Sequence, residues 1–330
     1  MKATNAFKSK MAPHIERYLA LKQALGREYD GVRRVLVHLD QFVTTHGGDL
    51  TAETFAGWCL TLQHLASGTR RSRMRVVRNF CLYRRRSEAA SFIPDSRLFP
   101  PRHQVVRPHL FTNAEVLRLL TAISALPAAP TSPFRRENLR VAIVLLYTTG
   151  LRLGELVRLT LGDYDPHEHT LLIRDSKFHK SRLMPLSIDG AREIDQYLAV
   201  RRSRQIAITP ESPLLWHYTR RGSAYTGTGL TNAIRPLLRA LQIRTETGRP
   251  PRVHDLRHTF ALEALLRWYR SGADVQAKLP LLATYMGHVS IASTEYYLKF
   301  VEPLGVSASE RFARHCGGIL AMPASTGSVR

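Results

Sequence analysis

A proline-containing segment between positions 94 and 108 is the feature that most restricts the fold of this chain. Prolines occur there at positions 94, 100, 101 and 108. Because proline lacks a backbone N–H and fixes φ, the segment predicts an extended linker rather than a helix. Soon after it, Thr112 and Glu115 have the spacing of a capping box, which predicts the start of a helix. The sequence therefore predicts domains over residues 1–100 and 112–322, a linker over 101–111 and a flexible tail over 323–330.

Both domains are predicted to be mostly helical, because apolar residues recur at three-to-four spacing. In the first domain this pattern predicts four short helices over residues 15–25, 29–45, 51–65 and 69–86. In the second it predicts helices over residues 134–147, 188–202, 231–241, 254–269 and 275–286. Residues 170–174 and 182–186 have the pattern of a β-hairpin. The expected fold class is α+β, mainly α with a small antiparallel β-sheet.

Positive charge dominates the composition and predicts a nucleic-acid partner. The chain has 48 Lys and Arg against 26 Asp and Glu, a net charge of +22. An excess of this size costs self-repulsion, which a polyanionic partner relieves. Several arginines of the predicted fourth helix lie outside its apolar stripe, and we expect five of them to contact DNA phosphates: Arg70, Arg71, Arg73, Arg75 and Arg78. The alternative is a solvated charged face.

The sequence argues against membrane and disulfide-stabilised classes. It has no run of about eighteen apolar residues and no signal-peptide core near Met1. Cys59, Cys81 and Cys316 lack paired spacing, as is typical of thiols in a reducing cytoplasm. We therefore expect a soluble cytoplasmic protein with no membrane partner, no disulfide framework and no structural zinc site.

Phosphate-binding and nucleophilic side chains cluster late in the chain. His254 and Arg257 lie one helical turn apart, Gly287 precedes His288, and a Tyr-Tyr pair ends at Tyr297. Cleaving a phosphodiester without a metal needs fixed cations on the phosphate oxygens and a positioned hydroxyl nucleophile. These residue types supply both, so the cluster predicts covalent chemistry on a nucleic acid.

Two other interpretations compete at single positions. Arg152, at the junction of two predicted helices, could clamp the same phosphate as Arg257 or simply pair with Glu155. His254 and His258 have the spacing of a helical zinc site, with Asp255 where metalloproteases carry glutamate. The zinc interpretation is disfavoured because aspartate is one carbon too short for the usual base and no third ligand is suggested.

These motifs together resemble the tyrosine recombinase (phage integrase) family. The resemblance consists of Arg152 in a Thr-Gly-Leu-Arg sequence, His254 followed by Arg257, Gly287-His288, and a tyrosine nine residues after His288. It covers residues 112 to 300, and residues 266–288 further resemble integrases carried by transposons. It implies a helical core-binding domain that contacts DNA, followed by a mostly helical catalytic domain.

The resemblance also implies a mechanism and a set of roles. Tyr297 would attack the scissile phosphate to form a 3′-phosphotyrosyl link and release a 5′-hydroxyl, with no metal, ATP or other cofactor. The remaining expected site residues are Arg152, Lys177, His254, Arg257 and His288. Lys177 would protonate the leaving oxygen, with Lys180 as second choice, but the glycines that commonly flank this lysine are absent. Tyr296 is the competitor for the nucleophile and otherwise a packing residue.

The partners implied by the resemblance are DNA and further copies of the chain. They are double-stranded DNA with a specific recombination site, a synaptic tetramer on that DNA, and accessory recombination proteins, which implies a nucleoid-associated location. The tail after Tyr297 would pack on its own domain or dock into a neighbouring protomer. Two rival functions remain, a type IB topoisomerase that relaxes supercoils as a monomer and a nonenzymatic DNA-binding protein.

Overall fold

The computed structural model describes most of the chain and divides it into two compact units. The units are Met1–Val106 and Arg107–Arg330. The described residues are 7–26, 29–101, 107–128, 130, 132–174, 181–206, 208–218, 223–288 and 294. The helices formed by these residues lack the combination of length and hydropathy that a membrane span requires.

The first unit is a bundle of short helices around an apolar core. Its helices are α1 (Ala12–Ala24), α2 (Asp30–Thr45), α3 (Ala52–Leu60) and α4 (Ser67–Arg84). Trp58 of α3 and Phe80 of α4 are fully buried in its core, together with apolar residues of α1 and α2. The third helix ends at Leu60, earlier than the predicted end at residue 65, and turns occupy residues 61–65. The four predicted helices are otherwise present.

The second unit contains the remaining α-helices and all the described strands. They are α5 (Asn113–Ser124), α6 (Arg135–Thr149), α7 (Leu153–Leu156), β1 (Tyr164–Asp165), β2 (Thr170–Ile173), β3 (Arg182–Pro185), α8 (Ile188–Ser203), β4 (Trp216–His217), β5 (Ser223–Ala224), α9 (Gly227–Ala240), α10 (Asp255–Arg270) and α11 (Val275–Met286). The capping box at α5 is confirmed: Thr112 Oγ1 accepts the Glu115 N–H at 3.2 Å, and a Glu115 oxygen accepts the Thr112 N–H at 2.9 Å.

The predicted hairpin is confirmed and gains a third strand. β2 pairs with β3 in an antiparallel register that places Leu171 opposite Met184, and both side chains are buried. β1 pairs with the other edge of β2, and β4 and β5 form a separate two-stranded sheet that the sequence pattern did not predict. The fold class is therefore mainly α with small antiparallel sheets, as expected.

The central helix of the second unit, α6, ends at the residues that form the candidate site. Most of its side chains are buried, and it packs against α5, α8 and α10. Gly150 ends the helix in a left-handed conformation, with φ of +63°. A Cβ added at Gly150 would lie 2.4 Å from a ring carbon of Phe260 on α10. This glycine therefore permits both the tight turn and the close approach of α10.

Gly150→Ala is expected to lower the unfolding free energy of the second unit by more than the cost of placing an alanine in the left-handed conformation. The left-handed conformation costs an alanine about 1–2 kcal/mol, and the clash with Phe260 adds about 1–3 kcal/mol. Gly272→Ala is the matched control, because Gly272 also has positive φ, +73°, but open space around its Cβ position. Equal losses of unfolding free energy in the two variants, measured by chemical denaturation, would contradict the packing argument.

Candidate functional site

Arg257 joins the ends of two helices at the candidate site. It lies in the first turn of α10 and is only 2% exposed. One terminal nitrogen, Nη1, donates to the Gly150 carbonyl at the end of α6 at 2.5 Å. The other, Nη2, donates to the Met286 carbonyl at the end of α11 at 2.8 Å. The guanidinium thus fixes the two helix ends relative to each other.

Arg152 reaches the same helix end from the junction after α6. Its Nη2 donates to the Gly287 carbonyl at 2.6 Å, one residue beyond the carbonyl that Arg257 binds. Its Nη1 donates to Glu155 at 2.6 Å, so the pair with Glu155 considered from the sequence does form. The Arg152 side chain nevertheless remains 25% exposed. The structure therefore brings Arg152 and Arg257 together while leaving Arg152 accessible from solvent.

Glu155 and Arg182 complete the arrangement around Arg152, and the sequence did not indicate Arg182 as a site residue. Glu155 is 3% exposed, and its two oxygens accept from Arg182 at 3.2 and 3.0 Å. Burial raises the pKa of Glu155, but hydrogen bonds from Arg182 and from the Arg152 backbone outweigh this and lower it to about 2. The carboxylate is therefore ionised between two arginines.

Two histidines flank the arginines. His254 precedes α10, with its ring edge-on to that of His258 at a centroid distance of 4.8 Å. Although solvent reaches the His254 side chain, partial desolvation and then the charge of Arg257 lower its pKa. His288 follows Gly287, which has φ of +66°, and its Nδ1 lies 2.8 Å from Thr294 Oγ1. Burial, followed by the charges of Arg257, Arg152 and Arg182, lowers the pKa of His288 to about 4.

Asp255 does not sit as a metal ligand would. It is buried and accepts both the backbone N–H of Arg252 at 2.9 Å and the Arg252 guanidinium at 2.8 Å. Its carboxylate therefore stabilises the chain segment that leads into α10, rather than joining His254 and His258 in a metal site. Within the described ranges, no group of three His, Cys, Asp or Glu side chains is placed to hold a metal ion.

Comparison with known proteins assigns the chain to a family. The model of the phage integrase family matches residues 110–301. The y4rB protein of Sinorhizobium fredii, named as an integrase/recombinase, is 31% identical over 303 residues, covering 91% of this chain and 96% of that protein. The chain belongs to the phage integrase family of tyrosine recombinases. The tyrosine recombinase XerC of Herpetosiphon aurantiacus is 28% identical over 299 residues, covering 87% of this chain and 90% of that one.

A solved site-specific recombinase and a solved transposon integrase share the fold. The XerH site-specific recombinase bound to a palindromic difH substrate has a TM-score of 0.61 at 18% identity, covering 83% of this chain and 77% of that one. The Tn1549 transposon integrase in complex with a circular intermediate DNA also scores 0.61, at 17% identity, covering 86% of this chain and 94% of that one. At these identities the likeness establishes the architecture.

Several expected site residues lie outside the described residues. They are Lys177, Lys180, Tyr296 and Tyr297, and Cys316 and the tail after Tyr297 also lie outside the described residues. Of the six side chains expected from the phage integrase resemblance, the structure thus describes Arg152, His254, Arg257 and His288, and it brings all four to the ends of α6, α10 and α11.

The five arginines of α4 differ in their surroundings. Arg75 is exposed, whereas Arg70, Arg73 and Arg78 are half-buried. The sequence predicts that the Arg71 side chain projects from α4, but in the structure its Nη1 donates to the Pro100 carbonyl at 2.6 Å. The apolar stripe behind them is buried as predicted, at Met74, Val77, Phe80 and Cys81. Arg71 therefore stabilises the end of the first unit in addition to any contact with DNA.

Two half-buried histidines, His258 and His288, predict a stability loss in mild acid. Burial is the largest cause that lowers the pKa of His258 and of His288, each from 6.5 to about 4. Between these values the unfolded chain binds protons that the folded chain does not, so the unfolding free energy falls as pH drops from 6.5 to 4. We expect a loss of at least ~1 kcal/mol, measured by denaturation at several pH values. His288→Gln should reduce this slope, and a slope equal to that of the wild-type chain would contradict the assignment.

Proposed function

We propose that this chain is a site-specific DNA recombinase that cleaves and rejoins strands through a 3′-phosphotyrosyl intermediate, without metal or ATP. The observation that carries the proposal is the convergence of Arg152 and Arg257. These arginines, more than a hundred positions apart, bind the adjacent carbonyls of Gly287 and Met286 directly before His288. A site that assembles two guanidiniums and an imidazole in this way suits a phosphodiester, whose charge must be held while a nucleophile attacks.

The two arginines hold the phosphate in this proposal. A guanidinium has five N–H donors, and the described bonds of Arg152 use two, so it retains donors for nonbridging oxygens. Such donors act most strongly on the charge that develops in the pentacoordinate transition state. Because the carbonyl bonds fix both guanidiniums beforehand, little reorganisation is needed when DNA arrives.

The histidines contribute hydrogen bonds and proton transfer. The lowered pKa values of His254 and His288 keep both rings neutral at neutral pH. A neutral imidazole has one donor and one acceptor nitrogen, so it can hydrogen-bond a phosphate oxygen or take a proton from the attacking hydroxyl. His254 is exposed, which suits contact with a substrate, and the Nδ1 contact with Thr294 orients His288.

Tyr297 supplies the nucleophile and Lys177 the acid for the leaving group. The tyrosine oxygen bonds to phosphorus as the bond to the 5′-oxygen breaks, and Lys177 gives a proton to that oxygen. One ester bond to phosphorus replaces another, so a 5′-hydroxyl can reverse the step and rejoin strands without ATP. The support is positional, since Tyr297 follows His288 by nine residues and Lys177 precedes β3 by five.

Both domains of the chain are expected to bind DNA. Residues 1–100 form a core-binding domain that contacts the backbone through Arg70, Arg73, Arg75 and Arg78, together with Arg71, and residues 112–322 form the catalytic domain. The net charge of +22 supports a large phosphate footprint. The related lambda integrase has been solved as a dimer bound to a core site. We expect this chain to assemble as a tetramer on two recombination sites with accessory proteins, with the tail after Tyr297 contacting a neighbouring protomer.

The experiment that tests this function uses nicked suicide substrates carrying candidate sites from the DNA that flanks the gene. With EDTA and without ATP, the full chain should form a covalent adduct attached through the 3′ end of the cleaved strand. Supercoiled plasmid lacking a site serves as the second arm, because a topoisomerase relaxes it as a monomer. Failure to form an adduct on any flanking site, or relaxation alone, would contradict the proposal.

A further inference from the structure

Three arginines bind three consecutive carbonyls at the end of α11. Arg182 Nε donates to the Tyr285 carbonyl at 2.8 Å, Arg257 to Met286 at 2.8 Å and Arg152 to Gly287 at 2.6 Å. The last carbonyls of a helix have no partner within the helix, and their partial negative charge attracts cations. Arg182 is the member of this set that the expected site residues do not include.

Arg182 also shares a carboxylate with Arg152. Glu155 Oε1 accepts hydrogen bonds from the guanidiniums of Arg182 and Arg152. Its Oε2 accepts from the Arg182 guanidinium and from the backbone N–H of Arg152. If Arg182 were absent, the buried Glu155 would pair with Arg152 alone, and that pair would carry no net charge. With Arg182 present, the three side chains carry a net charge of +1, which favours an anionic phosphate at Arg152.

The position of Arg182 explains how it can influence DNA cleavage without contacting the DNA. It is the first residue of β3, its side chain is 11% exposed, and it connects the sheet to α7 and α11. A Cβ at Gly287 would lie 2.5 Å from Arg182 Nη1, so the guanidinium packs directly against the turn that leads into His288. Movement of Arg182 would therefore disturb both Arg152 and the helix end before His288.

We propose that Arg182 is a positioning residue for DNA cleavage: it neutralises Glu155, so that Arg152 keeps its charge for the phosphate, and it fixes the helix end that precedes His288. This inference rests on the proposed recombinase function. It predicts that loss of Arg182 slows the chemical step while DNA binding, which depends on many phosphate contacts, is preserved.

The test compares Arg182→Met and Arg182→Lys with the wild-type chain on the suicide substrate. We expect Arg182→Met to form adduct on the order of 10²-fold more slowly at saturating protein, the effect typical of losing one transition-state donor, with Kd for the same DNA within about threefold. Arg182→Lys keeps the charge but not the forked donors, so it should be slowed about tenfold. Arg140→Met is the matched control, since Arg140 makes a similar paired contact with Glu193 between α6 and α8, away from the site.

A substrate with a neutral methylphosphonate at the scissile position separates positioning from a general loss of structure. Because this group lacks the phosphate charge that Arg152 neutralises, the rate difference between wild type and Arg182→Met should shrink to less than about tenfold. An equal deficit on both substrates would overturn the proposal, as would cleavage by Arg182→Lys at the wild-type rate. If Arg182→Met does not fold, the cleavage rate of Arg182→Lys still tests the proposal. Absence of adduct from the wild-type chain would instead contradict the proposed function.

Discussion

Tyr297→Phe is expected to abolish covalent adduct formation while DNA binding stays unchanged. Phenylalanine removes only the hydroxyl that would attack phosphorus, so the rate should fall on the order of 10⁴-fold or more, as for other lost nucleophiles. The measurement is the yield of protein-linked DNA from the suicide substrate, with Kd measured on an intact site. This is the largest effect that the proposed mechanism predicts for a single atom.

Tyr296→Phe is the matched control, because it removes the same atom from the adjacent residue. We expect it to cleave within about threefold of the wild-type rate, as a packing residue that keeps its ring would. An adduct that survives Tyr297→Phe but disappears with Tyr296→Phe would reassign the nucleophile to Tyr296 without changing the rest of the mechanism. Loss in both variants would show that the two hydroxyls act together.

Arg257→Lys is expected to reduce cleavage by about 10²–10³-fold and also to lower stability. Lysine keeps the positive charge, but its single ammonium cannot bridge the carbonyls of Gly150 and Met286 and bind phosphate as well. The loss of a buried bond to a carbonyl costs about 1–3 kcal/mol of unfolding free energy. Single-turnover cleavage and chemical denaturation measure the two effects separately.

Arg267→Lys serves as the control for Arg257→Lys on the same helix. Arg267 is exposed, and its Nε donates to the Glu263 carbonyl one turn earlier at the long distance of 3.4 Å. We expect its replacement to change neither cleavage nor stability measurably. Wild-type cleavage by Arg257→Lys would show that charge alone suffices at this position and that the forked geometry of the guanidinium has no part in the reaction.

Local sequence patterns predicted the elements around the site well. The boundaries of α11, Val275–Met286, match the predicted helix, and the capping box at Thr112 forms as expected. Such features depend on residues within one or two turns, so the chain itself contains the needed information. The predicted β3 was correct to within one residue for the same reason.

Patterns failed where strands are very short and where partners are distant in the chain. β4 and β5 have two residues each, too few to show alternation, and they form because Trp216 pairs with Ala224. Arg182 gave no signal of a site role, since a charged residue at a strand end is ordinary on a protein surface. Its bonds to Glu155 and to the Tyr285 carbonyl join residues 27 and 103 positions away. Nothing local distinguishes such an arginine from a solvated one.

The sequence by itself determined the family, the mainly helical class and the identity of four residues that meet at the site. These follow from the resemblance to the phage integrase family, whose motifs place particular residue types at characteristic spacing. Tertiary structure alone decided how those residues are held. Three arginines from separate segments bind consecutive carbonyls at the end of α11, and a buried glutamate is shared between two of them. Only folding can create these contacts, because the carbonyls become available where α11 ends and the arginines reach them only when the core is packed.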